Sequence, residues 1–287
     1  MKILLTGASG QLASDLKIHL KHHDLLPFSH AELDITDAAR LNEVLERMRP
    51  DLLINTSAYH RVDECESNME KSFEVNAFAV KRLGELCRKL GAGVMHFSTD
   101  YVFGGERSVP YTEDDAPGPL SVYGASKLAG EYLLRNALES HYVVRTCGLF
   151  GVAGSSGKGG NFIETMMKLA REGKSIRVVS DQVLTPTSTT DLAKKCAELI
   201  ETGRFGLYHI TSDGECSWFE FAQTIFALAG LEADLKATTS REFGAPARRP
   251  RYSVLENRRL KELLLDDLRP WRAALTEYME RKGYLKP

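Results

Sequence analysis

The first half of the chain alternates between apolar runs and amphipathic segments. Segments such as 38–48 and 69–90 carry apolar residues at helical spacing. The runs between them are short and almost wholly apolar, as buried parallel strands are. Strands that alternate with helices predict an α/β fold with a Rossmann-type doubly wound parallel sheet. The predicted strands are 2–6, 24–28, 50–55, 93–98 and 141–145.

The pattern becomes less regular after residue 146. We therefore predict a Rossmann domain at 1–148, to which a segment at about 185–212 returns, and a smaller C-terminal α+β substrate-binding domain, mainly 149–287. A glycine- and serine-rich stretch at 153–160 is interpreted as a lid or a bend. The predicted elements of this half are helices at 161–171, 218–228 and 271–281 and a strand at 205–210.

Composition narrows the class of protein. The 287 residues are 43% hydrophobic and 26% charged, with a net charge of −2, so neither nucleic acid nor a membrane is expected as a partner. The N-terminal apolar run is too short for a signal peptide, and no run approaches the ~20 residues of a membrane span. Five scattered cysteines indicate reduced thiols in a cytoplasmic protein and argue against a zinc site.

A glycine turn follows the first predicted strand and opens a helix. Gly7 permits a tight turn, and Gly10 lets the backbone approach a pyrophosphate at the helix N-terminus. Ala13 is small enough for close packing of helix on strand. The strand–turn–helix context makes this spacing a prediction of an NAD(P)-binding Rossmann domain.

The end of the second predicted strand bears on the choice of cofactor. An acid there would bind the ribose 2′-hydroxyl and repel a 2′-phosphate. Ser29 and His30 carry no such charge, which favours NADPH, although the nearby Glu32 keeps NADH open. Asp34 can meet the adenine, or the segment that contains it can simply cap the next helix.

Tyr123 and Lys127 share one face of a predicted helix. Phenol is a weak acid, and a nearby ammonium favours its ionised form, so the pair can exchange a proton with a carbonyl or an alcohol. Thr99 ends the fourth predicted strand, at the sheet edge where ligands bind, and its hydroxyl can donate to the same oxygen or serve only as a turn residue.

Three further residues have open interpretations. Arg249 lies in a basic cluster at 247–251 that either holds a substrate phosphate or is a solvated loop. Asn161, at the start of the predicted helix 161–171, is a candidate substrate-binding residue. Asn76 either holds a loop carbonyl or is exposed.

These motifs occur in a fixed order along almost the whole chain, and together they resemble the extended short-chain dehydrogenase/reductase superfamily. Within it, the chain is similar to the dTDP-4-dehydrorhamnose reductase family. The resemblance implies reduction of the 4-keto group of a dTDP-4-dehydro-6-deoxyhexose by NAD(P)H, giving dTDP-L-rhamnose from dTDP-4-dehydro-L-rhamnose. The motifs are Gly7–Ala13, Leu33–Asp37, Val62-Asp63 with Glu66, Ser98–Phe103, Tyr123–Glu131, Pro186-Thr187, Asp191–Ala193, Arg249-Pro250 with Ser253 and Leu255, and Trp271-Arg272.

The resemblance also implies a role for individual residues. Thr99, Tyr123 and Lys127 would be catalytic. The remaining cofactor contacts would come from Gln11, Leu12, Asp34, Ile35, Ala58, Tyr59 and His60, with Lys127 on the nicotinamide ribose. The sugar nucleotide would touch Val62, Thr99, Asp100, Tyr101 and Tyr123.

The chain departs from the family pattern at three places. Gly148 stands where the family usually has a tryptophan that packs on the substrate, so a roomier sugar pocket is expected there. His60 replaces a threonine. The acid that some members use for magnesium near Thr190 is absent, so no metal is predicted, and Asp15 alone is a weak ligand candidate.

Other functions are compatible with the same motifs. Dehydratases and epimerases of the superfamily are near alternatives, but dehydratases usually carry an acid where this chain has Tyr101. A relative of another kind is the non-catalytic β subunit of methionine adenosyltransferase, which has no need of the Thr99, Tyr123 and Lys127 set. A homodimer is a further expectation.

Overall fold

The computed structural model describes residues 1–153 and 160–285. Its centre is a six-stranded parallel sheet, with further small two-stranded sheets beside it. The strands of the described residues are β1 (Lys2–Thr6), β2 (Asp24–Phe28), β3 (Leu52–Asn55), β4 (Gly93–Thr99), β5 (His141–Thr146), β6 (Leu149–Phe150), β7 (Ile176–Val179), β8 (Val183–Leu184), β9 (Thr187–Ser188), β10 (Gly206–His209), β11 (Cys216–Ser217) and β12 (Leu235–Thr238).

Helices cover both faces of the large sheet and fill the second half of the molecule. In the described residues they are α1 (Gln11–His19), α2 (Ala38–Met48), α3 (Val62–Ser67), α4 (Met69–Phe73), α5 (Ala79–Leu90), α6 (Val122–Ala137), α7 (Phe162–Arg171), α8 (Thr189–Glu201), α9 (Trp218–Ala229), α10 (Ser240–Phe243), α11 (Arg258–Glu262) and α12 (Trp271–Arg281). A π-helical segment (Glu74–Phe78) joins α4 to α5, and a 3₁₀ turn (Asp100–Val102) follows β4.

The strand order β10-β5-β4-β3-β1-β2, with parallel pairing throughout, confirms the predicted α/β class. Successive residues of β1 point to opposite faces, so Ile3 and Leu5 pack with α1 and α8 while Leu4 packs with α2 and α5. The chain passes from β1 to β2 on one side of β1 and then crosses back to β3 on its other side, so the direction of winding reverses at β1. The crevice at this reversal, beyond the carboxyl ends of the strands, is where such sheets bind ligands.

The second half contributes to the first. β10 pairs with β5 at the edge of the large sheet, and α8 packs against α1 beneath it. A separate apolar cluster, built on α7, α9 and α12, holds the rest of the C-terminal half together. The boundary at residue 148 and the returning segment at 185–212 stay predictions.

The structure changes some sequence-based expectations. The helix predicted over 69–90 is interrupted, because the segment Glu74–Phe78 is wound as a π-helix. β7 and β12, which pair with each other, were not predicted. Most of the predicted lid at 153–160 lies outside the described residues. Across the described parts of the chain, no helix combines the length and apolarity that crossing a membrane requires.

Candidate active site

A cavity of about 600 Å³ opens beyond the carboxyl ends of β1, β3 and β4. The glycine turn forms one wall, and α6 forms another. Of the predicted site residues, those that line it are Gly10, Gln11, Leu12, Ala58, His60, Val62, Thr99, Asp100, Tyr101, Tyr123, Lys127, Gly148 and Asn161. The fold therefore brings the three predicted catalytic residues and the glycine turn to one space.

Tyr123 and Thr99 meet inside this cavity. Tyr123 lies in the first turn of α6, and Thr99 is the last residue of β4. Burial raises the pKa of the Tyr123 hydroxyl, and its hydrogen bond with Thr99 opposes that shift. The phenol consequently keeps its proton at neutral pH, which is the state that a proton donor to a carbonyl oxygen needs.

Lys127 lies one helical turn after Tyr123 and is 2% exposed. Its Nζ donates to the carbonyl oxygen of Phe97 at 2.6 Å and lies 3.1 Å from Nε2 of His96. Burial lowers the pKa of Lys127 to about 8, although the carboxylate of Glu131 favours the charged form. The lysine is thus a base whose protonation can change near neutral pH.

Asp100 is buried and engaged with its neighbours. It accepts from the Thr99 hydroxyl and from the Cys147 thiol, each at 3.0 Å. Burial raises the pKa of Asp100, and hydrogen bonds from Cys147, Ser253 and Thr99 partly offset the rise. The carboxyl group therefore orients Thr99 in addition to lining the cavity.

The position of α6 is set by close backbone contacts. A Cβ on Gly124 would lie 2.3 Å from the carbonyl oxygen of Tyr101, and one on Gly130 would lie 2.1 Å from that of Asn76. Only glycine lets the helix approach this closely. The first turn is fixed by Ser121, whose Oγ accepts from the Gly124 N–H at 3.2 Å, and by Glu66, which accepts from the Val122 N–H at 2.9 Å.

Asn76 organises the loop after β3. Its amide donates to the Tyr59 carbonyl at 3.0 Å and accepts from the Tyr59 N–H at 2.9 Å, while also donating to Ser126 on α6 at 3.0 Å. The side chain is fully buried. Of the two interpretations of Asn76, the loop-holding one is confirmed, and the π-helical segment is what presents this amide to the loop.

The glycine turn has the shape of a pyrophosphate site. Gly7 has φ +70°, and a Cβ there would lie 2.7 Å from Oγ1 of Thr56, so a side chain is excluded. Gly10 precedes α1, whose first N–H groups are free to meet an anion. Oε1 of Gln11 is buried without a hydrogen-bond partner beside the cavity. These features fit a bound dinucleotide.

Six of the predicted cofactor residues do not line this cavity. Asp34 accepts from the N–H and hydroxyl of Thr36, at 2.9 and 2.8 Å, and Asp37 caps α2 through the Arg40 N–H. Tyr59 directs its hydroxyl to Glu64 at 3.2 Å. Gly7 sets the backbone of the turn but does not itself face the cavity. The six are Gly7, Ser29, His30, Asp34, Ile35 and Tyr59, and their cofactor roles stay predictions.

A second cavity, of about 940 Å³, adjoins the first. The two share Phe162, Gln182 and Trp218, and the rings of Phe162 and Trp218 lie 4.7 Å apart. No sequence signal pointed to this aromatic pair, because each residue simply begins an amphipathic helix. Arginines dominate the polar lining: Arg107, Arg177, Arg241, Arg248, Arg249 and Arg251.

Arg249 lines this second cavity, while its guanidinium pairs with Asp63. NH1 and NH2 lie 3.0 and 2.9 Å from the two carboxylate oxygens. The pairing fixes the 247–251 segment against α3, which explains why Val62-Asp63 and Arg249 belong to one set of motifs. The predicted contact of Arg249 with a phosphate stays a prediction.

The surroundings of Gly148 and Asn161 limit the space for a sugar. Gly148 has φ +54°, and a Cβ there would lie only 2.9 Å from Cδ1 of Leu184. Leu184 therefore fills part of the space that the family's tryptophan ring would otherwise occupy next to position 148. Asn161 caps α7 by accepting from the Glu164 N–H at 3.1 Å and donates to the Tyr278 hydroxyl at 3.2 Å.

Asp15, the weak metal-ligand candidate, is hydrogen-bonded to two hydroxyls. Thr189 and Thr190 donate to its carboxylate at 2.5 and 3.0 Å. In the described part of the chain, one group of His, Cys, Asp or Glu side chains has ligand atoms spaced for a metal ion, namely His22, His23 and Glu201. It does not line either cavity.

Comparisons with known proteins agree with this geometry. A family model described as RmlD substrate binding domain matches residues 1–283. A dTDP-4-dehydrorhamnose reductase of Streptomyces griseus is 39% identical over 96% of this chain and 91% of its own. The spore coat polysaccharide biosynthesis protein SpsK of Bacillus subtilis strain 168 is 37% identical over 98% of both chains.

A solved structure gives the same result. The dTDP-4-dehydrorhamnose reductase of Bacillus anthracis strain Ames, crystallised in complex with NADP, superposes with a TM-score of 0.93. The two chains are 35% identical, and the match covers 98% of this chain and all of the other. Fold and chain length are therefore shared over the whole molecule.

Proposed function

The chain belongs to the RmlD substrate binding domain family, and we propose that it is an NADPH-dependent oxidoreductase that reduces the 4-keto group of a dTDP-4-dehydro-6-deoxyhexose. Within this class, the substrate that we propose is dTDP-4-dehydro-L-rhamnose, with dTDP-L-rhamnose as the product, because relatives carry the name dTDP-4-dehydrorhamnose reductase. The observation that carries the proposal is the meeting of Thr99, Tyr123 and Lys127 in a cavity walled by the glycine turn.

The cofactor site consists of the glycine turn, Gln11 and the small residues after β3. We assign the pyrophosphate to the N-terminus of α1 and the nicotinamide half to the part of the cavity near Lys127. The reduced nicotinamide supplies a hydride for C4 of the sugar when it is bound. The shape of the glycine turn and the family resemblance support these roles.

The chain's own residues hold the carbonyl and supply the proton. The Tyr123 phenol donates its proton to the oxygen of C4 as that oxygen becomes an alkoxide. The Thr99 hydroxyl, whose single proton goes to Asp100 in the structure, would turn that proton to the same oxygen as a second hydrogen bond. An ammonium on Lys127 would stabilise the phenolate that remains on Tyr123. Tyr101 stands where a dehydratase would need an acid, so this chemistry ends at the alcohol.

The second cavity suits the nucleoside diphosphate. Its arginines offer charge and forked hydrogen bonds to phosphate oxygens. Phe162 and Trp218, at the junction of the cavities, present apolar ring faces beside the sugar. A substrate with a small polar head and an anionic tail would span the two cavities.

Purified protein with NADPH and a panel of 4-keto sugar nucleotides tests the proposal. We expect loss of nicotinamide absorbance with a dTDP-linked 4-keto-6-deoxyhexose. Tyr123→Phe removes the proton donor and should lower kcat by roughly 10²- to 10⁴-fold while cofactor affinity is kept. Tyr132→Phe, on the exposed side of α6, is the matched control. Absence of turnover with every 4-keto sugar would refute the reductase function.

We also propose that two copies associate through the outer side of α6 and its neighbours. Met69, Phe78 and Tyr132 are 55%, 49% and 47% exposed on elements that contact one another. Exposed apolar side chains on neighbouring elements are the feature on which we base this proposal. Light scattering should give a dimer for the native chain and a monomer for Phe78→Glu. An unchanged mass for the variant would place the interface elsewhere.

We place the protein in the cytoplasm. Its five cysteines, all within the described residues, are buried and form no disulfide, which is usual for proteins of a reducing compartment. Fractionation of producing cells tests this assignment, since recovery outside the cytoplasm would contradict it.

A further inference from the structure

Lys127 meets two groups of β4 whose hydrogen-bonding capacities differ. The Phe97 carbonyl, 2.6 Å from Nζ, can only accept. Nε2 of His96, 3.1 Å from Nζ, donates or accepts according to which ring nitrogen carries the proton. His96 is fully buried, so the proton's position is decided by protein neighbours.

Asn55 determines which nitrogen of the His96 imidazole carries the proton, from the side of the ring opposite Lys127. Nδ1 of His96 lies 3.1 Å from Nδ2 of Asn55. The Asn55 amide is oriented by the backbone N–H of Ser57, which donates to Oδ1 at 3.0 Å and cannot accept. The Thr6 hydroxyl reaches the same oxygen at 2.8 Å. The NH₂ group therefore faces His96, Nδ1 accepts from it, and the proton of the neutral ring lies on Nε2.

We propose that His96 is a positioning residue that holds Lys127 as a neutral amine in the cofactor-free protein, with Nε2–H of the imidazole donating to the lone pair of Nζ. If Lys127 were an ammonium in this geometry, one of its N–H donors would face the Nε2–H donor of His96. Moving the imidazole proton to Nδ1 would only transfer the same conflict to the NH₂ of Asn55. Buried donors that face each other are costly, so the network favours the uncharged lysine.

The charged groups around Lys127 do not reverse this preference for the neutral amine over the ammonium. Glu131, on the same helix, favours the ammonium, but Arg145 of β5 binds both of its oxygens at 2.9 and 2.6 Å. Tyr123, also on α6, is a neutral phenol. Burial acts in the same direction as His96, since it lowers the pKa of Lys127 to about 8. The ammonium that the proposed reaction uses must then be formed as the site fills.

The position of the imidazole proton is directly measurable in the cofactor-free full chain. With ¹⁵N-labelled histidine, NMR distinguishes a protonated ring nitrogen from a bare one. At pH 7 we expect His96 to be protonated at Nε2 and bare at Nδ1, with its signals identified by their loss in His96→Gln. A proton on Nδ1 would overturn the proposal, and this measurement needs no altered protein in the deciding sample.

A second measurement follows the lysine itself. With ¹³C-labelled lysine, the Cε signal of Lys127 should titrate with a midpoint below about 7, because the amine must be mostly neutral at pH 7 and burial alone brings its pKa only to about 8. Asn55→Asp offers Nδ1 an acceptor, so we expect the proton to move to Nδ1, and this tautomer change is the deciding readout of the variant. The midpoint should also rise by about one pH unit or more, to which the charge of the new carboxylate contributes directly. Thr6→Val leaves the Ser57 contact intact, so it should change neither the position of the His96 proton nor the midpoint of Lys127.

A midpoint of Lys127 above about 7 would refute the proposal, because the amine would then be mostly charged at pH 7. If the Asn55 variant does not fold, the wild-type tautomer and midpoint still decide. The mechanistic consequence rests on the proposed reductase function, but neither measurement does. Failure of the reductase assay and failure of this proposal are therefore separate results.

Discussion

Glu32 places a carboxylate at the carboxyl end of β2, where the sequence offers Ser29 and His30. The N–H and hydroxyl of Ser29 donate to Oε2 of Glu32 at 2.8 and 2.7 Å. These bonds lower the pKa of Glu32, so it is ionised at neutral pH. An anion at this position favours a ribose 2′-hydroxyl over a 2′-phosphate. We therefore expect NADPH to bind against a local repulsion at this position.

A substitution of Glu32 should therefore change the preference between NADPH and NADH. Glu32→Gln removes the charge and keeps an oxygen for Ser29, so NADPH should bind roughly fivefold more tightly while NADH affinity stays nearly constant. Calorimetric titration with each cofactor measures this. Glu43→Gln, an exposed acid of α2 paired with Arg40, is the control. An equal gain for both cofactors would show that Glu32 does not meet the 2′-position.

At the scale of elements, α6 depends on two backbone approaches that no larger residue permits. Its contact with the π-helical segment passes through Gly130, and its contact with the 3₁₀ turn passes through Gly124. The same helix carries Tyr123 and Lys127. Catalytic geometry and helix packing are consequently coupled.

Gly130→Ala tests this coupling. The added methyl would meet the Asn76 carbonyl oxygen, so we expect a loss of about 1–3 kcal/mol in the free energy of unfolding despite alanine's better helix propensity. Denaturant unfolding measures the loss. Gly118→Ala is the matched control, because no atom lies within 4 Å of a Cβ there. Equal stability of the two variants would show that α6 can shift without penalty.

Some elements could be predicted from the chain alone, and others depend on distant partners. The strand Lys2–Thr6 is almost wholly apolar because both faces of the sheet are covered, so its pattern is local. The π-helical segment is not visible in the pattern, because the apolar spacing continues through it. β7 and β12 escaped prediction because Arg177 and Lys236 are exposed on short strands that only pair with each other.

The candidate site divides in the same way. Thr99 and Tyr123 were predictable together, because one ends a parallel strand and the other opens the next helix. Glu66 was predictable only as part of a motif, since its bond to the Val122 N–H joins residues far apart in the chain. Phe162 and Trp218 had no local signal, because a ring at the start of an amphipathic helix usually belongs to the core.

At the scale of the whole molecule, neutral histidines join the sheet to the segments that cover it. Nδ1 of His209, on β10, lies 3.1 Å from the Tyr111 carbonyl oxygen and 3.2 Å from that of Glu256. Burial lowers the pKa of His209 to about 3. Burial also lowers the pKa of His96 well below its ordinary value. Both rings are thus uncharged in the folded protein over the whole range in which an exposed histidine titrates.

Acid should therefore unfold the protein through these rings. Between about pH 6.5 and 5 the unfolded chain binds protons at both positions and the folded chain does not, so the free energy of unfolding falls as the pH falls. Each ring contributes a slope of up to about 1.4 kcal/mol per pH unit. Denaturant unfolding at a series of pH values should show His209→Gln with a shallower slope than the native chain. An unchanged slope for His209→Gln would mean that protonation is accommodated without unfolding, for instance by opening of the Tyr111 and Glu256 segments alone.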